Sequence, residues 1–133
     1  MVPLSGPPSI LVVEDEALLR LVTVDVLEEA GYSVIEAETG EQEVNAIIGG
    51  AKIAGLVTDV QTPGDTDGFE LARITRELYP KAAILVVSGR ARPVAGDLLP
   101  GAKFLGKPYT AMAVLDALND LIGRDPDRSN ALD

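Results

Sequence analysis

The chain has 133 residues, a length that suits one domain built around one hydrophobic core. Hydrophobic residues make up 47% of the chain and the formal net charge is −10, which together indicate a globular protein and argue against nucleic-acid or anionic-membrane partners. Cysteine and histidine are both absent, so disulfides, thiolate chemistry and the commonest general base are excluded. The opening "MVPLSGPPS" lacks the features of a signal peptide and no apolar run reaches roughly 18 residues, so we expect a cytoplasmic protein.

Short aliphatic runs alternate with longer amphipathic stretches. Residues 10–13 and 84–87 are apolar throughout, which is typical of strands covered on both faces of a parallel sheet. Strands are therefore predicted, in chain order, at residues 10–13, 33–37, 55–59, 83–88 and 102–106. Strands that alternate with helices predict an α/β fold with right-handed crossovers and helices on both faces of the sheet.

Helices are predicted between these strands. The first covers residues 16–30 and is followed by Gly31 as a C-cap. The next two cover 40–48 and 68–79, and the last covers 110–122. The fourth helical slot, between Ser88 and Lys107, is rich in Pro and Gly and predicts one or two turns at most. Apolar side chains recur at helical spacing in the first helix (Leu18, Leu21, Val22, Val26, Ala30) and in the last (Val114, Leu115, Leu118, Leu121, Ile122).

The predicted domain covers residues 9–122. Residues 1–8 form an N-terminal extension, and residues 123–133 form a polar, turn-rich C-terminal tail. No linker or internal repeat divides the chain.

Ligands of an open β/α sheet bind at the carboxyl ends of its strands. The side chains expected there are Glu14 and Asp15 after the first strand, Asp59 after the third, Ser88 after the fourth and Lys107 after the fifth. Like charges that crowd together raise each other's pKa unless a cation joins them. A Mg²⁺ ion with oxygen ligands is the natural solution, and Asp59 could then act as a nucleophile through its free oxygen.

Four motifs occur in order, each at a predicted strand end: "LVVEDE", "LVTDVQTPGDTDGFEL", "VVSG" and "FLGKPY". With them the chain resembles the receiver domain of bacterial two-component response regulators over about residues 9–122. The resemblance implies a three-layer, flavodoxin-like (βα)5 fold whose five-stranded parallel sheet has the order 2-1-3-4-5, here with a short or irregular fourth helix.

The same resemblance implies a role for each motif residue. Asp59 would be the phosphorylated residue. Mg²⁺, or Mn²⁺ in its place, would be bound directly by Asp15, largely through water by Glu14, and by the backbone carbonyl of Gln61 as well as by Asp59.

The remaining motif residues would act on the phosphoryl group or follow it. Lys107 would pair with the carboxylate and then with the phosphoryl group, and Ser88 would move toward the phosphate. Phe104 matches the aromatic residue that changes rotamer with that movement. Pro108 matches the proline that follows the lysine, commonly through a cis bond.

The loop after the third strand departs from the usual pattern. Thr62 replaces the Met or Leu that commonly precedes Pro63, and the segment up to Gly68 is one residue longer than the commonest form. The short fourth helix also alters the usual output surface, which is built from helix 4, strand 5 and helix 5. None of these departures affects the five core positions.

The function implied is a stand-alone, single-domain response regulator that signals through protein contacts of the helix 4–strand 5–helix 5 face. It would take its phosphoryl group from a histidine kinase or a histidine phosphotransfer protein, acting in trans because the chain has no His. It would catalyse only its own modification, so it is not expected to be an enzyme. We expect a monomer or a phosphorylation-dependent dimer, with an unidentified downstream protein partner.

Several alternatives stay open at this point. The chain could be a receiver from a hybrid histidine kinase, or a degenerate receiver that acts as a constitutive interaction module. A haloacid-dehalogenase-type phosphatase is disfavoured because Gln61 stands where its second Asp is needed. A cofactor-binding flavodoxin-like module is disfavoured because no phosphate-binding loop follows the first strand. Glu14, Asp15 and Glu16 could also simply begin the first helix, where acids favour the positive end of its dipole.

Overall fold

A computed structural model describes residues 9–39, 52–60, 68–89 and 99–123. The predicted second helix, the loop from Gln61 to Asp67, most of the fourth helical slot and both chain ends lie outside these residues. The described elements are β1 (Ser9–Val13), α1 (Ala17–Glu29), β2 (Ser33–Ala37), β3 (Ile53–Asp59), α2 (Gly68–Leu78), β4 (Ala83–Ser88), β5 (Lys103–Gly106) and α3 (Ala111–Ile122). The last of these is the helix predicted over residues 110–122.

The strands form one five-stranded parallel sheet in the order β2-β1-β3-β4-β5, which confirms the predicted fold. Its register aligns the strand ends: Val13 of β1 pairs with Thr58 of β3, and Asp59 pairs with Val87 of β4. Ser88 in turn pairs with Gly106 of β5. The residues that end these strands or directly follow them therefore lie along one edge.

The core has a cluster on each face of the sheet, because successive strand residues point to opposite faces. One cluster unites Ile10 and Val12 with Leu27 of α1 and Leu118 of α3. The other unites Leu11 and Val13 with Leu71 of α2 and other buried residues. The described helices thus cover both faces, as the three-layer prediction requires.

One prediction about α1 is wrong. Leu18, Leu21 and Val22, expected on its apolar face, are 72%, 61% and 47% exposed. The buried residues of this helix include Val24 and Leu27, which pack against the sheet and α3. Apolar residues of α1 fall on more than one stripe at helical spacing, and the neighbouring elements decide which stripe is buried.

The beginning of α2 lies directly against the end of β3. The backbone N–H of Gly68 donates to the carbonyl of Val60 at 3.0 Å. A Cβ at residue 68 would lie 2.4 Å from the carbonyl oxygen of Asp59, so only glycine permits this approach. Gly68 therefore lets α2 pack tightly behind the residue predicted to be phosphorylated.

The end of α1 and the beginning of α3 follow ordinary capping chemistry. Gly31, with φ of 101°, adopts the left-handed conformation just after α1, as predicted. Thr110 caps α3 by accepting a hydrogen bond from the N–H of Ala113 at 3.0 Å. Among the described helices none is long and apolar enough to cross a membrane. The cytoplasmic location and the domain limits stay predictions.

Candidate phosphoacceptor site

The carboxyl edge of the sheet brings four of the predicted side chains together. Carboxylate oxygens of Glu14, Asp15 and Asp59 all lie within 4.8 Å of one another. The Lys107 ammonium donates to Asp59 Oδ2 at 2.7 Å and lies 3.2 Å from Glu14 Oε1. Two buried carboxylates thus share one cation, and a third carboxylate faces solvent beside them.

Ser88, the fifth predicted residue, ends β4 at the same edge and is buried. Its backbone carbonyl accepts a hydrogen bond from the N–H of Lys107 at 2.8 Å. This bond continues the β4–β5 pairing by one residue, so the sheet itself carries Lys107 to the site. A Cβ at residue 89 would lie 3.5 Å from the Lys107 side chain, an ordinary contact distance.

Burial and charge oppose each other at this edge. Glu14 is 3% and Asp59 5% exposed, whereas Asp15 is exposed. Burial raises the pKa of Glu14, and the charge of Asp59 adds to the rise, although the Glu16 N–H and Lys107 oppose it. Burial alone would lower the pKa of Lys107, but the hydrogen bond and charge of Asp59, with the charge of Glu14, outweigh burial and raise it.

The geometry argues against a simple helix-opening role for these acids. Glu16 is the N-cap of α1 but makes no side-chain capping bond, and the first turn of α1 contains no acidic residue. The Glu14 side chain instead lies among Lys107, the N–H of Glu16 (3.1 Å to Oε2) and the hydroxyl of Tyr109 (3.4 Å to Oε1). Its carboxylate is held toward Asp59.

Two residues at this edge were missed by the sequence analysis. Arg20 donates from Nη1 to the Glu14 backbone carbonyl at 2.6 Å and from Nε to Glu36 Oε1 at 3.1 Å. Tyr109 is half-buried, and burial together with the charges of Glu14 and Asp59 raises its pKa well above the usual value. Their only sequence signals are the position of Arg20 in the first turn after the acidic run and that of Tyr109 directly after Pro108.

The other predicted residues are placed as follows. Phe104, in β5, is half-buried and packs against the cluster on the α2 side of the sheet. The Lys107–Pro108 peptide bond is cis, as the resemblance implied, and Pro108 is exposed. Gln61, whose carbonyl was predicted to bind the metal, lies outside the described residues. The roles of all these residues stay predictions.

The donor set fits a hard divalent cation. Carboxylate oxygens are the ligands that Mg²⁺ prefers, and a site with few carboxylates and an exposed side suits an ion that retains several waters. Mn²⁺ accepts the same oxygen ligands. With no nitrogen or sulfur donor among these side chains, the site does not suit zinc or copper.

Fold and site together define an α/β protein of the receiver class, with an acidic pair, an aspartate and a lysine at the carboxyl edge of a 2-1-3-4-5 sheet. Residues 10–119 match the family described as "Response regulator receiver domain". The chain belongs to this family.

Individual relatives agree with this assignment. Over 124 residues the chain is 34% identical to the sensor kinase CckA of Brucella abortus. The matched region covers 90% of this chain but only 13% of the kinase. It is 33% identical to the chemotaxis protein CheY of Bacillus subtilis, covering 83% of this chain and 93% of that protein. The crystal structure of a response regulator receiver protein from Sinorhizobium medicae superposes with a TM-score of 0.83 at 32% identity, covering 90% and 98% of the two chains.

Receiver domains are phosphoacceptor switches of two-component signalling, and they interact with histidine kinases or phosphotransfer proteins. They bind Mg²⁺ at an acidic pocket, and in this chain Glu14, Asp15 and Asp59 form a cluster whose carboxylates could hold a metal ion.

Proposed function

We propose that this chain is a phosphorylation switch in which Asp59 takes a phosphoryl group from a phosphohistidine of a kinase or phosphotransfer protein. The observation that carries the proposal is the 2.7 Å contact of Lys107 with Asp59, beside the carboxylates of Glu14 and Asp15. This arrangement supplies a nucleophile, a fixed cation next to it and oxygen ligands for a metal.

In the proposed transfer, an oxygen of Asp59 attacks the phosphorus atom of the donor. The new P–O bond replaces the P–N bond, and the departing electron pair stays on the imidazole nitrogen, which takes a proton from solvent. Bound Mg²⁺ would supply positive charge that offsets the carboxylates and the phosphoryl oxygens. Glu14, Asp15 and Asp59 would hold it, together with the Gln61 carbonyl.

Lys107 then has a new partner. Its ammonium already donates to Asp59, so it lies where the oxygens of a phosphoryl group on that residue would develop charge. Ser88, which ends the neighbouring strand, would donate its hydroxyl to the same group. Phe104, on the adjacent β5, would repack as Ser88 moves, which biases an equilibrium between two surface shapes.

The donor has a surface on which to dock. Leu18, Leu21 and Val22 are exposed on the first turns of α1, which begins directly after the acidic residues. Apolar side chains this exposed and this near a reacting carboxylate suit a partner that must bring a phosphohistidine to Asp59. Signal output would use the face of β5 and α3. The phosphorylated form would dimerise or act as a monomer.

The likeness to CheY supports a stand-alone regulator, and the likeness to 13% of a sensor kinase supports a receiver carried within a hybrid kinase. An immunoblot of the native protein distinguishes the two. A band near 13.9 kDa indicates the stand-alone form, whereas a much larger band indicates a receiver within a longer protein such as a hybrid kinase.

Intact-mass spectrometry after incubation with acetyl phosphate tests the switch. We expect the gain of one phosphoryl group with Mg²⁺ present, no gain with EDTA, and no gain for Asp59→Asn. Asp120→Asn, an exposed residue on α3 that pairs with Lys103, is the matched control and should gain the group normally.

The same experiment separates the alternatives. If the wild-type chain binds Mg²⁺ but gains no mass, incubation with a phosphorylated kinase decides whether small donors are simply too weak. If it neither binds Mg²⁺ nor gains mass from either donor, the switch is refuted and the constitutive interaction module takes its place.

A further inference from the structure

We propose that Arg20 is a positioning residue for the metal site: it fixes the acidic segment Glu14–Glu16 so that the carboxylates are held ready for Mg²⁺. The inference rests on the proposed function, since it concerns the metal affinity of the same edge. Arg20 itself is assigned no contact with the metal or the phosphoryl group.

Residue 14 is held at every polar group that it has. Its N–H donates to the Ala37 carbonyl at 3.1 Å, and its own carbonyl accepts from Arg20 at 2.6 Å. Its carboxylate contacts Lys107 through Oε1 and the Glu16 N–H through Oε2. Arg20 supplies the bond to the backbone carbonyl of Glu14, so without it the segment between β1 and α1 has one restraint fewer.

The shape of the Arg20 side chain suits this task better than its charge does. The planar guanidinium reaches in two directions at once, from Nη1 to the Glu14 carbonyl and from Nε to the Glu36 carboxylate just before the end of β2. The Arg20 side chain is 14% exposed and its bond to the Glu14 carbonyl is partly buried, whereas its bond to Glu36 lies at the exposed surface. Glu36 is 48% exposed, so solvent screens its charge and the ion pair itself contributes little to a cation bound at the site.

Two simpler roles predict different results. If Arg20 only formed an ion pair with Glu36, which is itself half-exposed, then removing either partner would have the same small effect. If its charge acted directly, then removing the charge would strengthen Mg²⁺ binding, and Lys at this position would behave like Arg. The positioning role predicts instead that Lys fails, because one ammonium cannot reproduce the two-way fork.

The experiment is a Mg²⁺ titration by isothermal calorimetry of the wild-type chain, Arg20→Gln, Arg20→Lys and Glu36→Gln. We expect the Mg²⁺ dissociation constant to rise about tenfold in both Arg20 variants, at the lower end of the range for groups that orient metal ligands. Glu36→Gln keeps the bond to the Glu14 carbonyl and should change the constant by no more than about twofold.

A second readout does not depend on metal. In the metal-free protein, amide NMR shifts of residues 14–16 should change in both Arg20 variants and stay near wild type in Glu36→Gln, while shifts along β4 stay constant in all three. A variant that fails to fold would show shift changes throughout the chain. If Arg20→Gln does so, the shifts and Mg²⁺ affinity of Arg20→Lys, the milder substitution, test the positioning role.

Wild-type affinity in Arg20→Lys, tighter binding in Arg20→Gln, or equal losses in Arg20→Gln and Glu36→Gln would each overturn the inference. Absence of Mg²⁺ binding by the wild-type chain would overturn the proposed function together with it. Normal binding by the wild type with unaffected Arg20 variants would overturn the positioning role alone.

Discussion

At the carboxyl edge of the sheet the strands lead into Glu14, Asp59, Ser88 and Lys107, all buried or half-buried. At the opposite edge β3 begins with Ile53 and β4 with Ala83, whereas β1 begins with Ser9 and β5 with Lys103. A cavity of about 530 Å³ opens there, lined mostly by apolar residues: Ile53, Ala54, Leu78, Tyr79, Pro80, Lys81, Ala82, Leu121 and Ile122. Among the described residues of that lining Lys81 is the only charged one, and it is exposed to solvent.

The comparison shows that the carboxyl edge contains buried charges that lower the stability of the folded state. Buried charges are costly because desolvation opposes their ionisation, and apolar side chains of similar volume are often as stable or more so. The starts of β3 and β4 demonstrate that strands of this sheet can end in apolar residues. Carboxylates crowded at the carboxyl edge are therefore best explained by chemistry that needs them, and the raised pKa of Glu14 is the sign of their cost.

Lys107→Met should have the largest effect on stability. It leaves the buried carboxylates of Glu14 and Asp59 without their shared cation, so we expect a loss of about 2–4 kcal/mol in the free energy of unfolding at pH 7. Urea denaturation without metal measures this. Lys81→Met, at the exposed amino edge, is the control and should lie within about 0.5 kcal/mol of wild type. Equal effects of the two substitutions would remove the contrast between the edges.

Glu14→Gln should produce a smaller effect that depends on pH. The pKa of Glu14 is raised above 4.5, so the folded state retains its proton longer than the unfolded state does. The stabilisation that this group provides is present at pH values below 4.5 and is lost as the pH rises through the pKa that Glu14 has in the folded state. Gln stays neutral, so without Mg²⁺ the variant should gain about 1 kcal/mol over wild type between acid pH and pH 7.

Denaturation at several pH values with EDTA checks this gain. Glu28→Gln, an exposed residue of α1, is the matched control and should keep the wild-type pH profile. Added Mg²⁺ should make the wild type more stable than Glu14→Gln, because the ion stabilises the folded wild type by mass action and binds the variant less well. A wild-type profile parallel to that of Glu14→Gln would contradict the raised pKa.

The double substitution Leu18→Ser with Leu21→Ser should change stability least, within about 0.5 kcal/mol, since both side chains are mostly exposed. Phosphoryl transfer from a cognate kinase should nevertheless slow strongly, while transfer from acetyl phosphate stays at the wild-type rate. The control is Leu78→Ser with Ile122→Ser, which makes the same kind of substitution in exposed apolar residues at the amino edge. It should leave transfer from the kinase and from acetyl phosphate unchanged. Slower transfer in the second variant would show that the edges do not differ in partner docking.

Much of this protein was determined by local sequence. The aliphatic runs predict strands because both faces of a parallel sheet are covered. The runs of β3 and β4 end in a polar residue of the site, and those of β1 and β5 are directly followed by one. The strand limits differ from the predicted ones by two residues at most. Glu14, Asp15, Asp59 and Lys107 could be predicted to meet because parallel strands place their carboxyl ends at one edge, whatever the details of packing.

Tertiary structure decided what depends on direction and neighbours. Leu18 and Leu21 have the spacing of a buried face, yet the packing of Val24 and Leu27 against the sheet turned them toward solvent. Arg20 reads as an ordinary helix arginine until β2 brings Glu36 beside it and the turn after β1 presents the Glu14 carbonyl. Such contacts join residues from separate elements, so their energies depend on a geometry that the periodicity of a sequence does not contain.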